Sequence, residues 1–353
     1  MRTPSPSLSP SLSLSSIDLA LLNGWQHDFP LVPRPFAVLA ERLGLSEVGV
    51  IDACERLQRA GSISRIGGVF SPGAGGAGLL AALAVPPGRM AEVATVVSAH
   101  PGVNHNYERE HELNLWFVMT GRNADAVEMA MVELEETTGL KALRLRLQRA
   151  YRIDLGFDLR HPTAPVAMRA NRSPSAAPID AGDWPLAQQV EVGLSAVARP
   201  YDLWAQACGL PVDEVLKTLE TWTKRGTLKR FGVVVRHHEL GFSANAMTVF
   251  DVPDDRVDAC GEALARQPGV TLAYRRERGP QWPYNLYCMV HGTDREVVHA
   301  VLDRVRVAAG LEGCPRAVLF STRRFKQTGA RRFRDAPGVP GDQTPREVFH
   351  AVA

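Results

Sequence analysis

Lysine is almost missing from this chain. Of 40 basic residues among 353, five are lysine (Lys141, Lys217, Lys224, Lys229 and Lys326) and 35 are arginine. A GC-rich coding sequence accounts for the total, but not for where the arginines cluster. Their rigid fork of donors suits carboxylates and phosphates. Cysteine is scarce as well: five residues, odd in number, far apart and forming no C-x-x-C. That excludes a disulfide framework, a zinc site or an iron–sulfur cluster and fits a reducing compartment. No apolar run approaches the ~20 residues that span a bilayer. The opening "MRTPSPSLSPSLSLSS" lacks the continuous apolar core of a signal peptide and reads as a disordered tail. The expected compartment is the cytoplasm. Excess charge of one sign is absent too, the net charge being +2, so nothing pulls the whole molecule toward nucleic acid or membrane.

What is present is a repeat. "RPFAVLAERLGLSEVGVIDACERLQRAGSISRIGGV" (34–69) lies over "RPYDLWAQACGLPVDEVLKTLETWTKRGTLKRFGVV" (199–234) at a constant offset, without a gap. Val85-Pro86 and Pro101-Gly102-Val103 return as Val252-Pro253 and Pro268-Gly269-Val270; Asn114-Leu115 and Gly121 return as Asn285-Leu286 and Gly292. The insertions between these blocks fall at expected loops, so the chain is a tandem duplication. Its halves are joined by the Pro-, Ala- and Ser-rich "HPTAPVAMRANRSPSAAPID" (161–180), which reads as a linker.

Each copy begins with two short amphipathic helices around Gly-Leu-(Ser/Pro), the second capped in the first copy by Ser46 and ended by Gly61. A wing strand follows, giving a helix-turn-helix pattern. The first copy continues as strand 79–85, helix 88–99, strands 102–109 and 113–120, helix 123–138 and strand 141–152. The second continues as 244–252, 254–266, 269–276, 284–291, 293–309 and 315–324. This βαββαβ order predicts an α+β fold: a winged helix-turn-helix plus a ferredoxin-like sandwich, duplicated, the two sheets packed face to face as an internal pseudo-dimer. The expected divisions are a tail (1–17), helix-turn-helix domains (18–70 and 181–235), ferredoxin-like domains (71–160 and 236–333), the linker (161–180) and a C-terminal tail (334–353). "GAGGAG" (73–78) neither opens a helix after a strand nor carries a P-loop lysine, and reads as a flexible connection.

The architecture looks like that of Lrp/AsnC regulators, repeated. In detail, "PGVNHNYEREHELNLWFV" (101–118), "RFGVVVRHHELGFSANAMTVFDVP" (230–253) and "WPYNLYCMVHG" (282–292) resemble siroheme decarboxylases, over nearly everything from about residue 18 to 333. That resemblance implies a carboxy-lyase made of two related subunits, here in one chain. It implies removal of the C12 and C18 acetate carboxylates of siroheme to give 12,18-didecarboxysiroheme, for haem d1 biosynthesis in denitrifiers or for an alternative haem route. The repeat itself suggests two pseudo-equivalent pockets at the interface of the halves, of which only the histidine-bearing one is fully equipped. No cofactor is expected beyond the iron-containing tetrapyrrole substrate, and no separate metal site. Other haem d1 biosynthesis proteins are candidate partners, and a higher oligomer is open.

The chemistry then selects residues. Loss of carbon dioxide leaves electron density that the macrocycle spreads and an acid must quench on carbon, and histidine suits that step. His105 and His111 flank the first hairpin and are the candidate catalytic pair, both expected at the mouth of one sheet face. Their counterparts are Leu272 and Trp282. For the retained carboxylates the candidates are Arg109, Arg275, Arg276 and Arg278 in the hairpins, Arg65 and Arg230 in the wings, and Arg236 before His237 and His238. Such arginines also occur as a solvated face or paired within their own domain. Tyr107, Trp116, Tyr274, Trp282 and Tyr284 are candidates to pack on the ring, although strand aromatics often fill a core. Two other functions stay open: a DNA-binding regulator that senses a small ligand, and a non-catalytic tetrapyrrole carrier. The acidic "PVDEVLKTLE" weighs against the first.

Overall fold

The computed structural model describes residues 14–153, 156, 159, 176–240, 242 and 244–334. The first half opens with α1 (Ser16–Gly24), α2 (Pro35–Leu43), α3 (Glu47–Arg59) and the wing strand β1 (Ile63–Phe70). Local chemistry sets these boundaries. Ser15 and Asp18 form a reciprocal capping box on α1, while α2 starts on Pro35 and stops at Gly44, whose φ of 66° suits glycine. Ser46 caps α3 by accepting from the Gly49 amide, as the sequence predicts. The two-helix reading missed α1, whose apolar face fills the same core as α2 and α3. The expected tail (1–17) overlaps its first turn. Residues 1–13 of that tail, 161–175 of the linker and 335–353 of the C-terminal tail lie outside the described residues.

A ferredoxin-like unit follows: β2 (Ala77–Leu83), α4 (Met90–Ala99), β3 (Val103–Arg109), β4 (Leu115–Gly121), α5 (Ala124–Thr138) and β5 (Leu143–Ile153). The second half repeats the order with α6 (Trp184–Val192), α7 (Pro200–Cys208), α8 (Val212–Arg225), β6 (Leu228–Val235), β7 (Ala244–Phe250), α9 (Val257–Ala265), β8 (Val270–Arg276), β9 (Leu286–Gly292), α10 (Arg295–Ala308) and β10 (Arg316–Gln327). Apolar faces of α4 and α5 bury the outer side of one sheet, those of α9 and α10 the outer side of the other. Among the described residues no helix is long and apolar enough to cross a membrane.

The halves are more entwined than two packed sheets. Within each half the strand order is β3-β4-β2-β5 or β8-β9-β7-β10, but the sheets also join edge to edge. The long last strands make the joins. β5 pairs with β2 through Leu143–Arg146 and with β8 through Leu147–Ile153. β10 pairs with β7 through Arg316–Phe320 and with β3 through Ser321–Gln327. The expected face-to-face pair is thus a closed eight-stranded barrel, a size whose interior holds either packed side chains or one small ligand.

The wings pair as well. β1 and β6 form an antiparallel ribbon with Gly67 opposite Gly232. Each half then docks on the other's wing: the Val233 amide of the second half donates to the Trp25 carbonyl of the first (2.7 Å), and the Leu194 amide donates to Ile66 (2.7 Å). A Cβ on Gly232 would lie 2.3 Å from the Trp25 carbonyl oxygen, so glycine permits this approach.

Candidate active site

Strand alternation sorts the side chains of the quoted hairpins. On β3, His105, Tyr107 and Arg109 face the barrel interior; on β8, their counterparts Leu272, Tyr274 and Arg276 do the same. Together with Trp116, Met247 and Tyr287 they line one continuous cavity of about 640 Å³, fed by both halves, in place of the two pockets the repeat suggested. Its floor is an apolar plug in which Trp116 packs on Trp282 (5.1 Å between rings) beside Leu145 and Leu319. Its far side is closed by the β1 end, the glycine-rich loop and Arg332.

That loop is not a loose connection. Gly76 has a φ of 65°, and a Cβ there would meet the Gly121 carbonyl oxygen at 2.7 Å. The loop is pinned against Phe333, which is fully buried and packs on Phe70 (4.9 Å) and Trp184 (5.5 Å). Residues 176–180, expected in the linker, hold it from behind through the Ala176 and Ile179 amides.

The cavity lining is predominantly basic, with six arginines against Glu128. Arg109 donates to the Leu319 carbonyl (2.9 Å) and Arg276 to the Leu145 carbonyl (3.1 Å), a matched pair across the duplication. Each guanidinium lies over its neighbouring tyrosine, at 5.4 Å for Tyr107 and 5.2 Å for Tyr274. Among the described residues neither takes part in an ion pair, and the Nε of each is buried without a partner. Burial pulls both below the usual guanidinium range, Arg109 to about 10. Arg332, at the far wall, also has a buried, unpartnered Nε. The Nε of Arg275, outside the cavity, is unpartnered too, so what sets Arg109 and Arg276 apart is that they face the cavity with no ion pair among the described residues.

His105 stacks on Tyr107 (6.1 Å) and, among the described residues, takes no hydrogen bond from protein. Burial first, and then the charges of Arg65, Arg109 and Arg324, push its pKa down to about 4. Its ring is therefore neutral at pH 7 with the cavity empty of anions. His111 lies elsewhere. Six residues along the chain, it is exposed at the hairpin tip, where Nδ1 accepts from the Leu113 amide and the ring meets Trp282 edge-on at 5.3 Å. The expectation that both histidines reach one mouth fails: His105 lines the cavity, while His111, beyond the end of β3, is exposed at the hairpin tip.

Several other candidates also fall outside the cavity. Arg275, between two inward residues, points outward to Asp254 and Asp258, and Arg278 is held by Asp251 (2.9 Å) and Asp254 (2.8 Å). Trp282 lies beneath Trp116, donating to the Tyr287 hydroxyl (2.6 Å), and Tyr284 packs on Trp282. Arg65 and Arg230 are enclosed in the wing ribbon and Arg236 follows it; only the charge of Arg65 reaches His105. Conversely, sequence reasoning missed His291 and Asn245, which line the cavity from β9 and β7. "VHG" (290–292) over "MTG" (119–121) held the signal: a histidine of the second half opposite Thr120.

A second concavity, of about 700 Å³, lies on α8 and is lined by Asp180, Asp183, Asp213 and Glu214 together with Lys217 and Arg225.

Winged helices over a closed pair of ferredoxin-like sheets, with a basic internal cavity, define an AsnC-like ligand-binding architecture. A family model described as an AsnC-like ligand binding domain matches residues 74–152 and 239–326, and the siroheme decarboxylase NirDL-like HTH domain matches residues 18–63. The chain is 44% identical to the siroheme decarboxylase NirDL subunit of Paracoccus pantotrophus, over 90% of this chain and 98% of that one. It is 31% identical to the siroheme decarboxylase of Hydrogenobacter thermophilus, over 87% of this chain and 92% of that protein. It also superimposes on a crystal structure of the siroheme decarboxylase NirDL in co-complex with an iron-uroporphyrin III analogue, with a TM-score of 0.62 and 28% identity, covering 90% of this chain and 94% of that one. This chain belongs to the siroheme decarboxylase family.

Proposed function

We propose that this chain decarboxylates siroheme inside the barrel, removing the C12 and C18 acetate carboxylates to give 12,18-didecarboxysiroheme for haem d1 biosynthesis. The observation that carries the reading is the pair Arg109 and Arg276, facing one cavity from opposite halves and, among the described residues, without acidic partners. An iron tetrapyrrole with eight carboxylates supplies the missing anions and an apolar ring for Trp116, Met247 and Tyr287 to pack against.

Each turnover breaks one carbon–carbon bond. The –CH₂–COO⁻ arm releases carbon dioxide, the electron pair passes into the conjugated macrocycle, and one proton is taken up on carbon to leave –CH₃. His105 is the assigned proton donor. It is neutral when free, held so by burial and then by the arginine charges; the substrate's carboxylates offset those charges and raise its pKa, so that it takes up from solvent the proton it delivers to carbon. The substrate's iron travels with the ring, and no protein ligand is assigned to it.

Anaerobic incubation with siroheme followed by mass spectrometry tests the reading. The expected product has lost two molecules of carbon dioxide. Tight binding with unchanged mass would make the protein a carrier instead, and salt-sensitive, sequence-selective DNA binding without either would favour a regulator.

A further inference from the structure

A run of polar contacts crosses the cavity wall from one half to the other. Arg109 donates through both Nη groups to Asn245 Oδ1 (3.3 Å each). Asn245 Nδ2 lies 3.1 Å from His291 Nε2, and His291 Nδ1 lies 3.0 Å from Thr271 Oγ1. Thr271 in turn donates to the Met289 carbonyl (3.1 Å). Asn245 and His291 are directly paired residues of β7 and β9.

The donor inventory of these contacts assigns their protons. A guanidinium only donates, so the Asn245 oxygen must face Arg109 and its NH₂ must face the histidine. Nε2 then accepts. Nδ1 therefore carries the ring proton and gives it to Thr271, whose own proton is committed to Met289. The first half has no such relay: its counterparts of Asn245 and His291 are Gly78 and Thr120.

We propose that Asn245 is a positioning residue that holds His291 neutral with Nε2 as acceptor, and that ties this form to the state of Arg109. This rests on the reading of the barrel as the siroheme site. A substrate carboxylate at Arg109 competes with Asn245 for the same Nη groups. Releasing Asn245 frees Nε2 to take a proton, so His291 is charged only once the cavity is loaded. Burial first, and then the charge of Arg109, keep the free form unprotonated, with a pKa of about 4.

The test is ¹⁵N NMR of the histidine-labelled full chain, with metal-free uroporphyrin III as a diamagnetic polycarboxylate probe. The free protein should show His291 as the Nδ1–H tautomer at pH 7, moving toward imidazolium when uroporphyrin is added. Asn245→Asp should give imidazolium without the probe, and Asn245→Leu should lose the tautomer preference, with the His105 signals unchanged as the mark of an intact barrel. An Nε2–H tautomer in the free wild-type protein would overturn the proposal whether or not the variants fold. So would a His291 signal that is the same in all three proteins. The expected tautomers in a protein that fails to decarboxylate siroheme would sustain the relay and remove the function.

Discussion

Arg276→Leu and Arg275→Leu, adjacent on β8, should behave in opposite ways. The Nε of each is buried without a partner, but Arg276 faces the cavity with one hydrogen bond to Leu145, whereas Arg275 faces out between Asp254 and Asp258. In the ligand-free protein, leucine at position 276 removes a hydrogen bond of about 1 kcal/mol but also relieves an uncompensated buried cation. The two effects oppose, so denaturant stability should move by no more than about 1 kcal/mol, in either direction. Binding carries the full loss. A charge-assisted contact contributes about 1.5–3 kcal/mol, so affinity for iron uroporphyrin III, followed by the ring's absorbance, should weaken roughly 10- to 150-fold. Arg275→Leu should leave that affinity unchanged, because Arg275 does not line the cavity and is already paired with Asp254 and Asp258. The reasoning is refuted if Arg276→Leu costs more than about 3 kcal/mol of ligand-free stability while affinity stays the same: the arginine would then be structural. Equal loss of affinity in both variants would refute the strand alternation itself.

His105→Ala should retain the fold and macrocycle binding but lose turnover by about 10²–10⁴-fold, whereas His111→Ala should turn over nearly normally; product mass after siroheme incubation separates them. Acid should destabilise the protein between pH 6.5 and about 4. The two cavity histidines are held neutral in the fold with pKa values of about 4, so over that window the unfolded chain binds more protons and stability falls as pH drops. Each contributes up to about 1.4 kcal/mol per pH unit, and His105→Gln with His291→Gln should flatten the slope in a melting series. Gly76→Val should weaken both folding and uroporphyrin binding, since its Cβ meets backbone at 2.7 Å in a left-handed conformation; normal melting would show that the loop gives way.

Much of this was legible in the sequence because duplication is a long-range signal that needs no energetics. Glycine and proline punctuation located α2, α3, α7 and α8, and Ser46 marked a real cap. What failed was non-local. Nothing in the residues of β5 or β10 announces that half of each strand belongs to the other sheet, because an extended strand looks alike whichever neighbour it pairs with. His111 was misplaced by treating a hairpin as a point rather than as two strands running the length of a barrel. Arg275 and Arg278 were different. Once Tyr274 and Arg276 were set facing inward, the period of two already turned Arg275 away. His291 lies outside the hairpins that the repeat marks, at the far end of β9, where only the fold brings it to the cavity.

The crossed docking of each half on the other's wing bears on stoichiometry. A barrel closed by β3–β10 and β5–β8 needs two partners, and separate half-proteins could pair like with like. One such product would carry two copies of His105 and no His291 relay, and another the reverse. Joining the halves in one chain replaces that competition with an intramolecular encounter at high effective concentration. Every molecule then holds one of each histidine, at any dilution.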